Sequence, residues 1–327
     1  MIPAFIEGGR FTIDDVHYIV EQNELVPVSD TPFAKDKSFG YLHANMKEWV
    51  QEKTRGTIKS SEVMSISLED IRQRGPEHIA EKLTKCSPGN IVIVNAVSYR
   101  DLEVVTMGLL VSEKTGQQFL FRSSATFVSI RAGIAPGKIY TPNQEGLASP
   151  NGSLIVVGSY VPKTTSQLDH LLKQQKHEAI EINVTELLSL NDTLTRAGAL
   201  SQQIDHWLAA GKDVVLYTSR LLEVGKDPES SLRINGVVSA FLVRVVNRLT
   251  IRPSFFIAKG GITSSDVASK GLLAEKALIL GQAIPGVPVW ELDEKSKFQK
   301  ILYIVFPGNV GGESALWEVW YRFKYNV

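Results

Sequence analysis

The stretch FFIAKGGITSSDVASKG, residues 255–271, decides how this chain is read. Residues 255–258 are a short apolar run of the kind carried by a fully buried strand. Gly260 and Gly261 break the run, and Thr263, Ser264, Ser265 and Asp266 follow before apolar residues return at helical spacing with Val267, Ala268 and Leu272. A strand, a Gly-Gly turn and a hydroxyl-rich helix start make a place for an anion. Glycine lets backbone come close to a ligand, and the first N–H groups of a helix lack intrahelical acceptors. The same residues also describe a plain strand–helix turn capped by Thr263 or Ser264, and spacing alone leaves the two readings level.

Working outward, two more junctions of this kind occur. An apolar run at 154–157 leads into GSYVPKT, with Gly158 and Ser159, and a helix with Leu168, Leu171 and Leu172 on one face starts near Thr164. A second run at 301–306 leads into PGNVGG, with Gly308, Asn309 and Gly311, before a closing helix over 313–321. Neither has the G-x-x-x-x-G-K-[ST] spacing of a P-loop, and no G-x-G-x-x-G is present to support a dinucleotide site. Lys163 is equally a phosphate-neutralising group or a solvated lysine. In an open parallel sheet the loops at the carboxyl ends of strands gather on one edge. Three such loops converging on one crevice suit a polyphosphate better than one alone.

The surrounding pattern alternates strand and helix. Helices are expected at 199–208 and 231–249, the latter with Val237, Val238, Phe241, Leu242, Val245 and Val246 inward. Strands are expected at 214–218, 277–280 and 289–292. Ahead of this, helices fit 76–83, 99–114 and 125–130, and strands fit 91–94 and 119–121, with Leu102, Val105, Leu109 and Leu110 at helical spacing in the longest helix. Alternation of this kind implies an α/β fold, two domains with mainly parallel sheets flanked by helices. The segment 137–152, rich in Pro and Gly, reads as a linker between a first domain, 1–136, and a second, 153–327. Residues 1–65 are the least regular, with short strands at 17–20 and 25–28 around a turn at Gln22 and Asn23.

Composition narrows the function classes. The chain has 327 residues, 43% of them hydrophobic, with 35 Lys plus Arg against 35 Asp plus Glu, so electrostatics suggest neither a nucleic-acid nor a membrane partner. One cysteine, Cys86, allows no internal disulfide and fits a reducing compartment, which makes the cytoplasm the expected location. No apolar run approaches the roughly 20 residues of a membrane span, and no signal peptide is expected. Arg10, after two glycines, is suited to gripping a carboxylate or phosphate by paired hydrogen bonds, or is a solvated surface arginine. His17 and His43 lack metal-ligand spacing. Arg100, Arg122 and Arg131 could face a substrate cleft at strand ends, but such arginines more often form salt bridges or lie in solvent.

Four blocks, PAFIEGGRFTIDDVHY (3–18), VVGSYVPKTTSQL (156–168), AKGGITSSDVASKG (258–271) with LGQAIPGVPVW (280–290), and VFPGNVGGESAL (305–316), together resemble the four-carbon acid sugar kinase family, in matching order and separation. The resemblance covers nearly the whole chain. It implies an ATP-dependent kinase that transfers the γ-phosphoryl group to a hydroxyl of a sugar acid such as erythronate or threonate. Gly158, Ser159, Gly260, Gly261, Ile262, Thr263, Gly308, Asn309 and Gly311 would bind the nucleotide, Arg10 the sugar acid, and Asp266 a Mg²⁺ ion directly or through water. As a carboxylate in the first turn of a helix, Asp266 is equally a dipole partner. Many relatives have a serine where this chain has Val161. Family members also carry an earlier portion with Asp-Asp-x-Thr-Gly and Ser-Thr-Leu-Arg-Gly motifs, which this sequence does not contain. The first domain is therefore expected to be incomplete, the chain alone inactive or incomplete as a kinase, and a homodimer or a complex with a second chain the working form. The alternative is a nucleotide-binding module or an interaction or effector protein without independent catalysis.

Overall fold

The structure, a computed structural model, describes residues 1–21, 23–32, 34–35, 40–135, 139–142, 149–174, 176–220 and 228–327. Gln22 of the expected first turn and residues 137–138 and 143–148 of the expected linker lie outside these. The chain divides into two compact units, Met1–Pro136 and Gly137–Val327.

The first unit opens on an antiparallel meander of β1 (Arg10–Ile13), β2 (Val16–Glu21) and β3 (Glu24–Pro27). The β1–β2 turn is Asp14-Asp15, at φ 48° and 63°. Two consecutive left-handed residues fit the right-handed twist of the flanking strands, and Asp tolerates that region better than most side chains. Helix α1 (Met46–Lys53) is capped by the Asn45 side chain, which accepts from the Lys47 and Glu48 N–H groups. Strand β4 (Met64–Ile66) pairs in parallel with β5 (Val92–Val94) across the crossover helix α2 (Gly75–Thr84). Helices α3 (Tyr99–Glu113) and α4 (Ala125–Arg131) follow. Ile66, Ile79, Leu83, Val94, Leu102, Val105 and Phe127 form the core. Leu110, on the expected inner stripe of α3, is 44% exposed. Residues 119–121 are irregular rather than a strand. Phe119 and Phe121 turn toward each other at 6.3 Å and Phe121 toward Phe127 at 5.1 Å, so ring packing replaces a hydrogen-bonded ladder there.

The second unit is a seven-stranded sheet between two helical layers. In chain order it comprises β6 (Leu154–Val157), α5 (Pro162–Lys173), β7 (Glu178–Ile182), α6 (Val184–Ser189), α7 (Thr193–Ala209), β8 (Val214–Thr218), α8 (Pro228–Arg248), β9 (Phe256–Lys259) and α9 (Gly261–Asp266). After them come β10 (Ala277–Ile284), β11 (Val287–Leu292), β12 (Leu302–Phe306) and α10 (Ala315–Tyr325). The strand order is β10-β11-β12-β9-β6-β8-β7. The five strands from β12 to β7 are parallel, and β11 and β10 complete the sheet antiparallel. Alternation along β6 divides its burial: Leu154 and Val156 face α7 and α8, whereas Ile155 and Val157 face α5 and α10. All four are 0% exposed, which is why the strand reads as a continuous apolar run. Val237, expected inside α8, is 43% exposed. On β10 the exposed Leu278 and Ile279 stand beside a break in register between Ile279 and Gly281.

Asp70 ties the first unit together. Its carboxylate accepts from Ser67 N (2.9 Å), Ser67 Oγ (2.9 Å), Lys82 Nζ (2.7 Å) and the His78 ring (3.0 Å). Burial raises its pKa, and Lys82 and Ser67 outweigh that, holding the group well below the usual carboxylate range. A carboxyl group whose folded pKa lies below its unfolded value stabilises the fold above the unfolded value, and that contribution is lost as pH falls through the folded value. Asp70→Asn is therefore expected to lower the urea midpoint at pH 7, and the gap to the wild type to narrow progressively as pH falls below about 4, being smaller at pH 2 than at pH 7. Urea titrations at both pH values check this; a gap that persists undiminished at pH 2 contradicts it.

Candidate functional site

The order of the second sheet creates a crevice. From β6 the chain leaves through α5 to β7 on one side, and from β9 it leaves through α9 toward β10, β11 and β12 on the other. Neighbouring parallel strands whose connections diverge leave an opening at their carboxyl ends, where ligands of open α/β sheets bind. Register makes the three loops start level: Val157 pairs with Lys259, and Lys259 with Phe306. The Gly158 N–H donates to Lys259 O (3.2 Å) and the Gly260 N–H to Phe306 O (2.9 Å). Those two amides are thus committed to the sheet. The N–H groups of the first turn of α9, at Gly261, Ile262 and Thr263, have no intrahelical acceptor.

The three glycine loops touch one another. A Cβ on Gly158 would lie 2.2 Å from Thr263 Oγ1, and one on Gly308 2.8 Å from Ser159 Oγ. Gly260, at φ +119°, sits in backbone space open essentially to glycine, with Ser159 Cβ 3.0 Å from its ideal Cβ position. Thus Gly158, Gly260 and Gly308 are required by mutual packing around Ser159 and Thr263. Gly261 differs: none of the described residues comes within 4 Å of its Cβ position, and it is exposed beside Ile262. Gly311 (φ +83°) turns the third loop into α10. That loop, with half-buried Asn309, is pinned from α5: Thr164 Oγ1 donates to Gly308 O (2.9 Å), and Gln167 Nε2 donates to Val310 O (2.9 Å) and Gly312 O (2.7 Å). Gln167 Oε1 is buried with no hydrogen-bond partner among the described residues.

Three cations border these loops, two of which the sequence reading passed over. Lys259, the last residue of β9, is 0% exposed; its Nζ donates to Pro307 O (3.0 Å) and lies 4.0 Å from the centre of the Phe306 ring. Burial, with a smaller repulsion from Lys163, lowers its pKa to about 7. Arg220, just past β8, donates through Nη1 to Ser159 O (2.7 Å) and through Nε and Nη2 to Thr218 O (2.9 and 2.5 Å), bracing the first loop from the neighbouring strand. Burial lowers its pKa, against Glu181 and Asp169. Lys163 lies exposed in the first turn of α5. The signal for Lys259 was a lysine closing an otherwise apolar strand; Arg220, a loop arginine, carried none.

Asp266 stands six positions beyond Gly260, roughly 9 Å along the helix axis. Its carboxylate accepts from Ser239 Oγ (2.6 Å) and pairs with Lys270 (2.7 Å). Lys270 first, then Ser239, lowers its pKa. Among the described residues no group of three or more His, Cys, Asp or Glu side chains is placed to hold a metal ion. Ser239 and the exposed Lys270 occupy the Asp266 carboxylate here, so a Mg²⁺ ion bound to it directly would take the place of the Lys270 ammonium.

In the first unit, Arg10 is half-buried on β1, opposite Ile19. Burial lowers its pKa, while the charges of Tyr41 and Glu21 act in the opposite sense. His17, next to it, is buried with its Nδ1 3.1 Å from Thr12 Oγ1, and burial plus Arg10 lower its pKa to about 4. A cleft of about 290 Å³ in this unit is lined by His17, Tyr41, Trp49, Arg122, Ser123 and Ser124, among others. Arg122, set aside in the sequence reading, lies there with its guanidinium 4.8 Å from the Trp49 ring centre. Arg10 acts on this cleft through its field on His17 and Tyr41, which line it.

Comparison with known proteins now adds to the geometry. Residues 1–131 match a family model described as a sugar-binding N-terminal domain, and residues 154–316 one described as a nucleotide-binding C-terminal domain. No curated protein matches the chain. Among solved structures, a Salmonella typhimurium LT2 protein provisionally called a tRNA synthase is similar at 16% identity with a TM-score of 0.63, over 98% of this chain and 71% of that one. The Haemophilus influenzae protein HI1011, of the DUF1537 family, is similar at 17% identity with a TM-score of 0.55, over 98% and 73%. At such identities the likeness is one of fold, and both share the two-unit α/β arrangement. Matched by a sugar-binding and then a nucleotide-binding domain, in that order and across both of its units, the chain belongs to the four-carbon acid sugar kinase family.

Proposed function

We propose that the second unit binds ATP and ADP in the crevice between β6 and β9, and that the chain serves phosphoryl transfer from ATP to a hydroxyl of a small sugar acid, of the erythronate or threonate kind. The observation that carries this is the convergence of the Gly158, Gly260 and Gly308 loops on Ser159, with buried Lys259 beneath them. Phosphoryl transfer asks a protein mainly to position two reactants and to spread charge over the phosphoryl oxygens. Crowded glycines fix the walls, the α9 amides at Gly261, Ile262 and Thr263 supply donors, and Lys259, Arg220 and Lys163 supply positive potential. Gly311 and Asn309 shape the far wall. A Mg²⁺ ion accompanying the nucleotide would screen the same charge; Asp266 fits it through a bridging water, or directly in place of the Lys270 ammonium. The sugar acid belongs in the first unit, where Arg122 and Arg10 are the cations beside the cleft lined by His17 and Tyr41.

The tied-up carboxylate of Asp266 favours a second reading, in which the unit binds nucleotide without turning it over. A coupled ADP-release assay with four-carbon sugar acids, run beside sedimentation analysis, separates the two. Turnover assigns the kinase activity to the sedimenting species, whether monomer, homodimer or a complex with a second chain; ADP binding with no turnover assigns the binding module.

Gly261 gives the cleanest test of the site, because a side chain there meets no described residue and would collide with a ligand in the crevice. Gly261→Val is expected to leave the unfolding midpoint unchanged while weakening ADP binding at least about tenfold, or ~1.4 kcal/mol. Gly260→Val, by contrast, is expected to lower the unfolding midpoint, because a β-branched residue does not adopt φ +119°. Unchanged ADP affinity in Gly261→Val, measured by calorimetry, counts against the site.

A further inference from the structure

Lys259 is a buried lysine with no carboxylate beside it among the described residues. The hydrogen-bond acceptor it finds among them is the Pro307 carbonyl, and a ring face, Phe306, covers it at 4.0 Å. An ammonium has three donors and is costly to bury unless a counter-charge accompanies it. Among the described residues the charged groups around it offer none. Lys163 of α5 repels it. Arg220, past β8, is a second cation, whose guanidinium bonds Ser159 and Thr218. Asp169 and Glu181 act on Arg220, and Asp266 is held by Lys270 and Ser239. From β6 the paired residue is the apolar Val157, and from β12 it is Phe306. A group that is costly to charge and has no counter-ion among the described residues sits directly before the Gly260 turn and donates to the residue preceding Gly308, between two of the three converging loops.

We infer that Lys259 is a proton-linked positioning residue: a polyphosphate entering the crevice supplies the missing counter-charge, and Lys259 takes up a proton as it binds. This rests on the nucleotide reading above and goes beyond it by coupling the site to pH. Without ligand, burial leaves the side chain largely neutral at pH 8. A bound anion raises its pKa, so binding draws a proton from solvent. Affinity then falls as pH rises above 7, approaching tenfold per pH unit for one proton taken up.

The test is calorimetry of ADP binding to the full chain at pH 8, in buffers of different ionisation enthalpy. At that pH the nucleotide phosphates are already ionised. The expected result is net uptake approaching one proton in the wild type and none in Lys259→Met. Lys259→Arg, permanently charged, is expected to bind within a few-fold of the wild type with no proton uptake. Thermal unfolding without ligand shows that each variant folds; Lys259→Met is expected to melt no lower than the wild type, since it removes a buried ionisable group. ADP binding by the wild type without proton uptake overturns the inference and leaves the nucleotide site standing. Uptake that persists in Lys259→Met overturns it too, by moving the proton elsewhere. Failure of the wild type to bind ADP or ATP at all overturns both.

Discussion

The parallel pairing of β6 with β9 is the constraint on which the second unit depends. Both strands are buried on both faces, so their register is held by packing from two sides as well as by hydrogen bonds. That register sets Val157 level with Lys259 and so places Gly158 and Gly260 side by side where the strands end. At that point the loops are too close for side chains, and Thr263 and Ser159 occupy the space that a Cβ would need. The site is therefore a by-product of strand alignment. A slip of one residue would turn each strand's buried side chains to the opposite face and separate the glycines at the same time.

The first unit is held by polar side chains to a greater degree. The Asp14-Asp15 turn is more than a hairpin connection, because the Asp15 carboxylate pairs with Lys47 (3.0 Å) and accepts from Asn95 Nδ2 (2.9 Å) and Ser65 Oγ. Asn95 Oδ1 in turn accepts from the Asp15 N–H (2.8 Å). One residue thus connects the meander, the β4–β5 pair and α1. Arg72 makes a comparable two-point contact with buried Asp101 (2.9 and 3.0 Å), whose carboxylate also receives the Val97 N–H (3.0 Å) at the head of α3. These networks join short elements whose individual apolar faces are small.

How much of this was legible in the sequence follows from which forces leave a local trace. The buried strands at 154–157, 255–258 and 301–306 and the amphipathic α7 and α8 announced themselves through apolar runs and helical spacing. Strand β7 did not, because at the edge of the sheet its burial is partial and Glu178 and Glu181 interrupt the apolar pattern. The expected strand at 119–121 failed for the opposite reason: its aromatic residues found ring partners, a choice that composition does not distinguish from sheet burial. In the site, glycines and hydroxyls were visible because their types are unusual at strand ends. The roles of Gln167 and Arg220 depend on loops 143 and 61 residues away in the chain, and no local window contains such partners. Lys259 was in plain view within the opening stretch, but only the fold reveals that none of the described acidic residues stands near it.

The break in register on β10 bears on how the molecule keeps company with itself. An edge strand with exposed Leu278 and Ile279 is the kind of surface on which other chains add as further strands. Here Gly281 takes φ 148°, and the ladder to β11 shifts between Ile279 and Gly281 and again between Gln282 and Ile284. Bulges of this kind bend and twist a strand away from the straight template that edge-to-edge growth requires. At the opposite edge, β7 presents the charges of Glu178 and Glu181, and the Lys212 ammonium closes on the former at 2.6 Å. The sheet therefore ends on one side in irregular geometry and on the other in charge. A seven-stranded ribbon with neither guard would be open to polymerisation from both margins.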